Sequence, residues 1–242
     1  MFSTPLLLDS TRFIVGVSIL IYASYTDLKI RKASNMLWLS MGFIGVILLV
    51  IEYFLTGGFG NQLIYLVFIP IIILIMYIFF QLRLLFGGAD AKAMMAIAIL
   101  LPFTPSLFSF PLFISVLPFS WVIFSNAIIL FLFIPLGLLI YNAYKKKLHF
   151  PHCFLGYQMK LKDARKKFVW PLEQIIDGKK KLSYVPHSVD PKEQFDAFEK
   201  MGISEIWVTP KIPFMIPLLA GFICAFFVGD ILLLITHFIA GF

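Results

Sequence analysis

Residues Gln62–Leu85 read QLIYLVFIPIIILIMYIFFQLRLL, with Arg83 as their only charge. A helix needs about 20 mostly apolar residues to cross a bilayer's hydrocarbon core, and this run is longer than that. The rest of the chain agrees with it. Of 242 residues, 60% are hydrophobic and 14% charged, and the mean hydropathy is +0.94. A soluble domain is nearer half apolar and a quarter charged, and no water-soluble fold of this size hides so much apolar surface. Apolar segments recur along the whole sequence, which excludes a secreted protein with one cleaved leader.

Outward from Gln62–Leu85, windows of crossing length give five more candidates. The first runs from about Thr11 to Thr26 and the second from Asn35 to Leu55. The fourth starts at Ala91, the fifth covers about Phe119 to Tyr144, and the sixth covers Ile212 to Phe238. The first lacks the basic cluster and small-residue cleavage site of a signal peptide. In the fourth, Ala91–Leu101 is too short to cross alone. Pro102, Pro105, Pro111 and Pro118 then punctuate an uncharged run that must pack on protein or lie at the interface. The expected fold is an all-α integral membrane bundle of six transmembrane helices. A small α+β domain falls between helices 5 and 6, which divides the chain into 1–141, 142–211 and 212–242.

Charge orients the bundle. The net charge is +7. In a soluble protein that would suggest nucleic acid; in a membrane protein it marks loops held on the cytoplasmic side. Nineteen of the 20 basic residues fall after segment one, after segment three or within 142–211, and only Arg12 is left over. The N-terminus is therefore expected outside, and the polar region in the cytoplasm. Within that region, Phe168–Ile176 and Lys179–Val185 read as strands around an Asp177-Gly178 turn. Asp190-Pro191 with Glu193 opens a helix that Gly202 closes, and Glu205–Thr209 fits a third strand. Cys153 and Cys224 are too few for a disulfide framework or a four-thiolate zinc site.

Five carboxylates lie outside 142–211: Asp9, Asp27, Glu52, Asp90 and Asp230. Asp9 is expected before the first span, and Glu52 and Asp230 near the outer face. Asp27 closes the first span and Asp90 opens the fourth, so these two share a depth at the inner boundary. Two carboxylates within reach of each other cannot both ionise cheaply, and the pair titrates as a unit. Its charged member can take a proton from water while its protonated member donates to a scissile carbonyl, with no metal and no nucleophilic side chain. The plainer roles are a helix cap for Asp90 and a solvated pair with Lys29 or Arg31 for Asp27. Among the other polar residues, Lys92 reads as an interface anchor and Asn126 as a helix–helix hydrogen bond. His149, His152 and His187 read as surface residues, and His237 as an interface residue.

The local sequences add a resemblance. Gly87-Gly88-Ala89-Asp90-Ala91-Lys92 resembles the Gly-x-Gly-Asp motif of intramembrane aspartic proteases, with Ala89 in place of the second glycine of that motif. Tyr25-Thr26-Asp27-Leu28-Lys29 is similar to the first aspartate site of the prepilin and preflagellin peptidase branch, and Glu205–Pro213 is similar to a stretch of its archaeal members. The resemblance covers nearly the whole chain. It implies Asp27 and Asp90 as catalytic residues, with Gly87, Gly88 and Ala89 as backbone support. It implies no metal or cofactor, and a substrate that is a precursor archaellin or type IV pilin-like protein cut beside its basic leader at the cytoplasmic face. The cysteine pairs of bacterial members that also methylate the new N-terminus are absent, as is a glycine-rich nucleotide loop, so proteolysis without methyl transfer is expected. Membrane lipid is an expected partner and nucleic acid is not. Two other readings remain open on the residues alone, a proton-coupled transporter using the aspartates as relay groups and a non-catalytic assembly protein.

Overall fold

The computed structural model describes residues 4–82, 84, 87–176, 179–182 and 191–241. In chain order the helices are α1 (Thr4–Ile30), α2 (Asn35–Thr56), a 3-10 turn at Gly60–Gln62, α3 (Leu63–Leu66), α4 (Phe68–Gln81), α5 (Gly88–Leu100) and α6 (Phe119–Tyr144). There follow α7 (His152–Leu155), β1 (Tyr157–Lys160), α8 (Leu161–Ala164), β2 (Val169–Pro171), β3 (Glu173–Ile176) and β4 (Lys179–Leu182). The chain ends with α9 (Pro191–Lys200), β5 (Glu205–Pro210), α10 (Met215–Phe227) and α11 (Ile231–Ala240). These elements form two compact units, one of residues 1–131 with 213–242 and one of 132–212.

The first unit is helical. Among the described residues, Pro5–Ile30, Asn35–Thr56, Gly60–Gln81 and Phe119–Tyr144 are long and apolar enough to cross a membrane. Ser34 starts α2 by accepting from the Met36 amide through its hydroxyl, and Gly57 stops it with a φ of 73°. At the centre lies α5, whose Ala91, Ala93, Met94, Ala96, Ile97, Ala98 and Leu100 are all buried. A helix apolar all round belongs in a core, and α5 packs against α2 and α4. Outside it α1 packs on α2 and α10. Phe13, Phe222 and Phe226 interlock between α1 and α10, with Phe13–Phe226 ring centroids 4.9 Å apart.

Two expectations about this unit are corrected. Asp9 does not precede the first span but lies inside α1, 8% exposed. Its charge is tolerated because Arg12 Nη1 donates to Asp9 Oδ1 at 3.2 Å and Nη2 donates to Glu52 Oε2 at 2.6 Å. The Ser106 amide donates to Asp9 Oδ2 at 2.8 Å. The last apolar segment is not one helix. Gly229, at φ 93°, breaks it, and Asp230 starts α11 by accepting from the amides of Leu232 and Leu233. A side chain at Gly229 would also strike the Phe113 backbone. Asn126 holds the break from α6, donating to the Gly229 carbonyl at 2.7 Å and accepting from the Ile231 amide at 3.0 Å.

The second unit carries the sheets. Strand β5 is central in an antiparallel order β1-β5-β2, with Tyr157 opposite Val208 and Trp170 opposite Thr209. Strands β3 and β4 form a separate hairpin, Gln174 opposite Lys181. The expected strand Phe168–Ile176 is thus two short strands in different sheets, and β1 was not foreseen. The expected Asp177-Gly178 turn and the Asp190 cap lie outside the described residues. Gly202, at φ 69°, does close α9, whose Phe195 and Phe198 pack with Leu161, Ala164, Val169, Ile206 and Val208. A second cluster joins Cys153, Leu172 and Trp207. Asn142, 1% exposed, ties the end of α6 to this cluster by donating to the carbonyls of Cys153 and Gly156.

Candidate active site

Asp27 lies in the last turn of α1 and Asp90 in the first turn of α5, two helices that pack together in the first unit. The depth match is visible in a third helix. Lys92 Nζ, two residues past Asp90, donates to Asn35 Oδ1 at 2.9 Å, and Asn35 opens α2 just beyond the α1–α2 turn. At the other end of the bundle Arg12 on α1 meets Glu52 on α2. Asp27 and Asp90 are therefore at the same end. Both are half-buried. Among the described residues neither carboxylate has a hydrogen-bond or ion-pair partner. The Asp27 charge nevertheless acts on Asp90, and the Arg31 charge acts on Asp27.

The glycines behave differently from one another. Gly87 sits in extended backbone, φ −122° and ψ 124°, just before α5, and its carbonyl accepts from the Asp90 amide at 3.1 Å. A Cβ built on Gly87 would stand 2.7 Å from Asp90 Oδ2. The absence of a side chain there is what lets the carboxylate fold back over the helix start. Gly88 is already helical and would meet the Phe80 ring at 3.2 Å. Ala89 is helical too and half-buried against the core, a conformation that alanine adopts as readily as glycine.

The remaining candidates disperse. Glu52 and Asp9 are bound to Arg12, and Asp230 caps α11. Lys92 is exposed. His237 touches the Phe113 ring at 5.8 Å, and Phe113, Leu233, Thr236, His237 and Ala240 line an open apolar pocket of about 390 Å³. His152 was expected on the surface and is instead buried, 5.3 Å ring to ring from Trp207 and 5.1 Å from His149. Burial pushes its pKa below the usual imidazole value. The Glu173 carboxylate opposes the shift, and His149 and Lys180 add to it. At neutral pH the 3.8 Å contact of His152 with Glu173 therefore joins a neutral ring to a carboxylate. His187 and Arg83 lie outside the described residues. Among the described residues no three His, Cys, Asp or Glu side chains are grouped to hold a metal ion. Asn35 and the Arg12 cluster were not foreseen. The signal for the cluster was present in Arg12 itself, a lone arginine in an apolar helix, which needs buried acids beside it.

Relatives include the preflagellin peptidase of Methanocaldococcus jannaschii, 28% identical over 230 residues, covering 90% of this chain and 94% of that one. The preflagellin peptidase of Methanococcus voltae is 27% identical over 232 residues, with 90% and 95% covered. That of Methanococcus maripaludis is 25% identical over 233 residues, again with 90% and 95% covered. A family model for the archaeal peptidase A24 C-terminus, type II, matches residues 148–231. The model for the type IV leader peptidase family matches residues 14–141, more than half of the chain and the whole stretch that carries Asp27 and Asp90. On that match, this chain belongs to the type IV leader peptidase family.

Proposed function

We propose that this protein is a membrane-embedded aspartic endopeptidase that removes the basic leader from preflagellins (archaellins) or type IV prepilin-like precursors, with Asp27 and Asp90 as the reacting pair. One observation carries the assignment. Two half-buried carboxylates, free of hydrogen-bond and ion-pair partners among the described residues, sit at one end of adjacent helices and within electrostatic range of each other. The preflagellin peptidases it resembles support the substrate class.

The chemistry follows from that pairing. Close carboxylates share a proton. The ionised member takes a proton from a water held between them, and the resulting hydroxide attacks the scissile carbonyl. The protonated member gives its proton to the carbonyl oxygen, forming a neutral gem-diol. On collapse the protonated member gives its proton to the leaving amine and the ionised member takes one from a gem-diol hydroxyl, which restores a pair holding one proton. A membrane-boundary site has water at hand and leaves the apolar helix of the precursor in lipid.

The topology belongs to the same proposal: six crossings, the N-terminus outside and the carboxylates at the cytoplasmic face. The placement of 19 of the 20 basic residues supports it. Cleavage without methyl transfer completes the reading. The test mixes purified protein with a precursor bearing a basic leader and an apolar helix, and reads product masses. The expected product is the leaderless chain with an unmethylated N-terminus, lost in Asp27→Asn and in Asp90→Asn. Cleavage that survives both substitutions removes the assignment.

A further inference from the structure

The side-chain hydrogen bond from Lys92 Nζ to Asn35 Oδ1, at 2.9 Å, stands apart from the rest of its neighbourhood. Among the described residues it is the one side-chain hydrogen bond from the first two turns of α5 to another helix. The rest of the α2–α5 contact is apolar and, at two glycines of α2, close. Gly42 on α2 faces Ile99, and Gly45 lies so close to α5 that an added Cβ would be 2.8 Å from the Leu100 Cα. Ala91, Ala93, Ala96 and Ala98 are interspersed on α5 with the larger buried Met94, Ile97 and Leu100. Close approach at glycine fixes how near two helices lie, and a slip of one residue along the seam is about 1.5 Å. A polar contact at the end of the seam, exposed on both partners, adds a mark of register to that packing.

The ends of that contact matter. Lys92 is two residues from Asp90. Asn35 opens the helix that follows Asp27 by a short turn, and Ser34 caps that helix. We propose that Asn35 and Lys92 are positioning residues: a polar clasp that sets the register of α5 against the α1–α2 hairpin, and with it the separation of Asp27 and Asp90. This rests on the reading of those two aspartates as the reacting pair. The clasp acts through geometry, so an acceptor at position 35 and a donor at position 92 suffice, whichever way round they stand.

The test compares Asn35→Ala, Lys92→Met, the double variant, Asn35→Asp and the swap Asn35→Lys with Lys92→Asn, using full-length protein in detergent. Cleavage of a basic-leader precursor gives kcat and KM, and thermal unfolding gives a readout that needs no substrate. The clasp predicts that each truncation lowers kcat about tenfold with KM unchanged, and that the double variant falls no further in kcat or Tm. Asn35→Asp keeps activity, the swap restores it to within about threefold, and the pH profile does not move. If Lys92→Met shifts the pH profile while Asn35→Ala does nothing, Lys92 acts by charge and the clasp is wrong. Losses in Tm that add independently also overturn it, even where cleavage still depends on both aspartates. If Asp27→Asn and Asp90→Asn both still cleave, the site assignment fails instead, and a coupled Tm then leaves the clasp as a register lock without its catalytic consequence.

Discussion

The two ends of the helical unit treat acidic side chains in opposite ways. At one end Asp9 and Glu52 are gathered on Arg12, itself 2% exposed, and the Ser106 amide takes up a further Asp9 oxygen. At the other end Asp27 and Asp90 are half-buried and no arginine or amide binds either carboxylate among the described residues. Buried charges persist when paired and hydrogen-bonded, so the first end is built as a joint between α1, α2 and the α5–α6 connection. Carboxylates left with their lone pairs open can accept a water and pass a proton. The same functional group is thus bound up by Arg12 at one end of the bundle and left with open lone pairs at the other, as the proposed chemistry requires.

The contrast can be broken from either side. Asp27→Asn or Asp90→Asn is expected to lower precursor cleavage by about 10³-fold or more while leaving the thermal unfolding midpoint nearly unchanged, as measured on purified protein. Arg12→Met is expected to do the reverse. It strands two buried acids, at a cost of about 3 kcal/mol or more, seen as a lower midpoint and a lower yield of folded protein. The kcat of the folded fraction stays near that of the parent. Gly87→Ala sharpens the same contrast, since its new Cβ falls 2.7 Å from Asp90 Oδ2. The carboxylate must rotate away, and kcat is expected to fall about tenfold with little change in the unfolding midpoint.

The smallest effect lies in the second unit. His152 is held below its unfolded pKa, chiefly by burial. The folded state therefore binds fewer protons than the unfolded one, and stability rises with pH. The contribution is complete above the ordinary histidine pKa of about 6.5 and is lost as pH falls from there through the folded value. His152→Phe is expected to flatten the dependence of the unfolding midpoint on pH in this window, checked by melts of the two proteins from neutral to mildly acid pH.

Span length was legible because it needs only composition. The windows Asn35–Leu55 and Phe119–Tyr144 agree with α2 and α6 to within a residue or so. Where charge and apolarity conflict, the reading failed. Asp9 looked as if it preceded the first span because Glu52, the other acid on Arg12, is 40 residues further along than that arginine. In 212–238 the composition stays apolar through the break, yet its signals were on the page: a glycine able to take positive φ, followed by an aspartate able to cap. Strand β1 was hidden because its partner β5 is remote in sequence. The two aspartates could be matched in depth from the chain alone. That α1 and α5 are neighbours, and that Lys92 reaches Asn35, needed coordinates, because helix adjacency leaves no local trace.

Helix α5 spans only 13 residues, about 20 Å, and between Ala91 and Leu100 it exposes only Lys92. It is walled in by protein and is spared direct compression or stretching by acyl chains. In a bilayer the largely exposed α1 and α2 would answer a change in thickness by tilting, whereas Asp90 would keep its height through its neighbours. An enzyme arranged this way would tolerate changes in acyl-chain length that a lipid-facing aspartate would register directly.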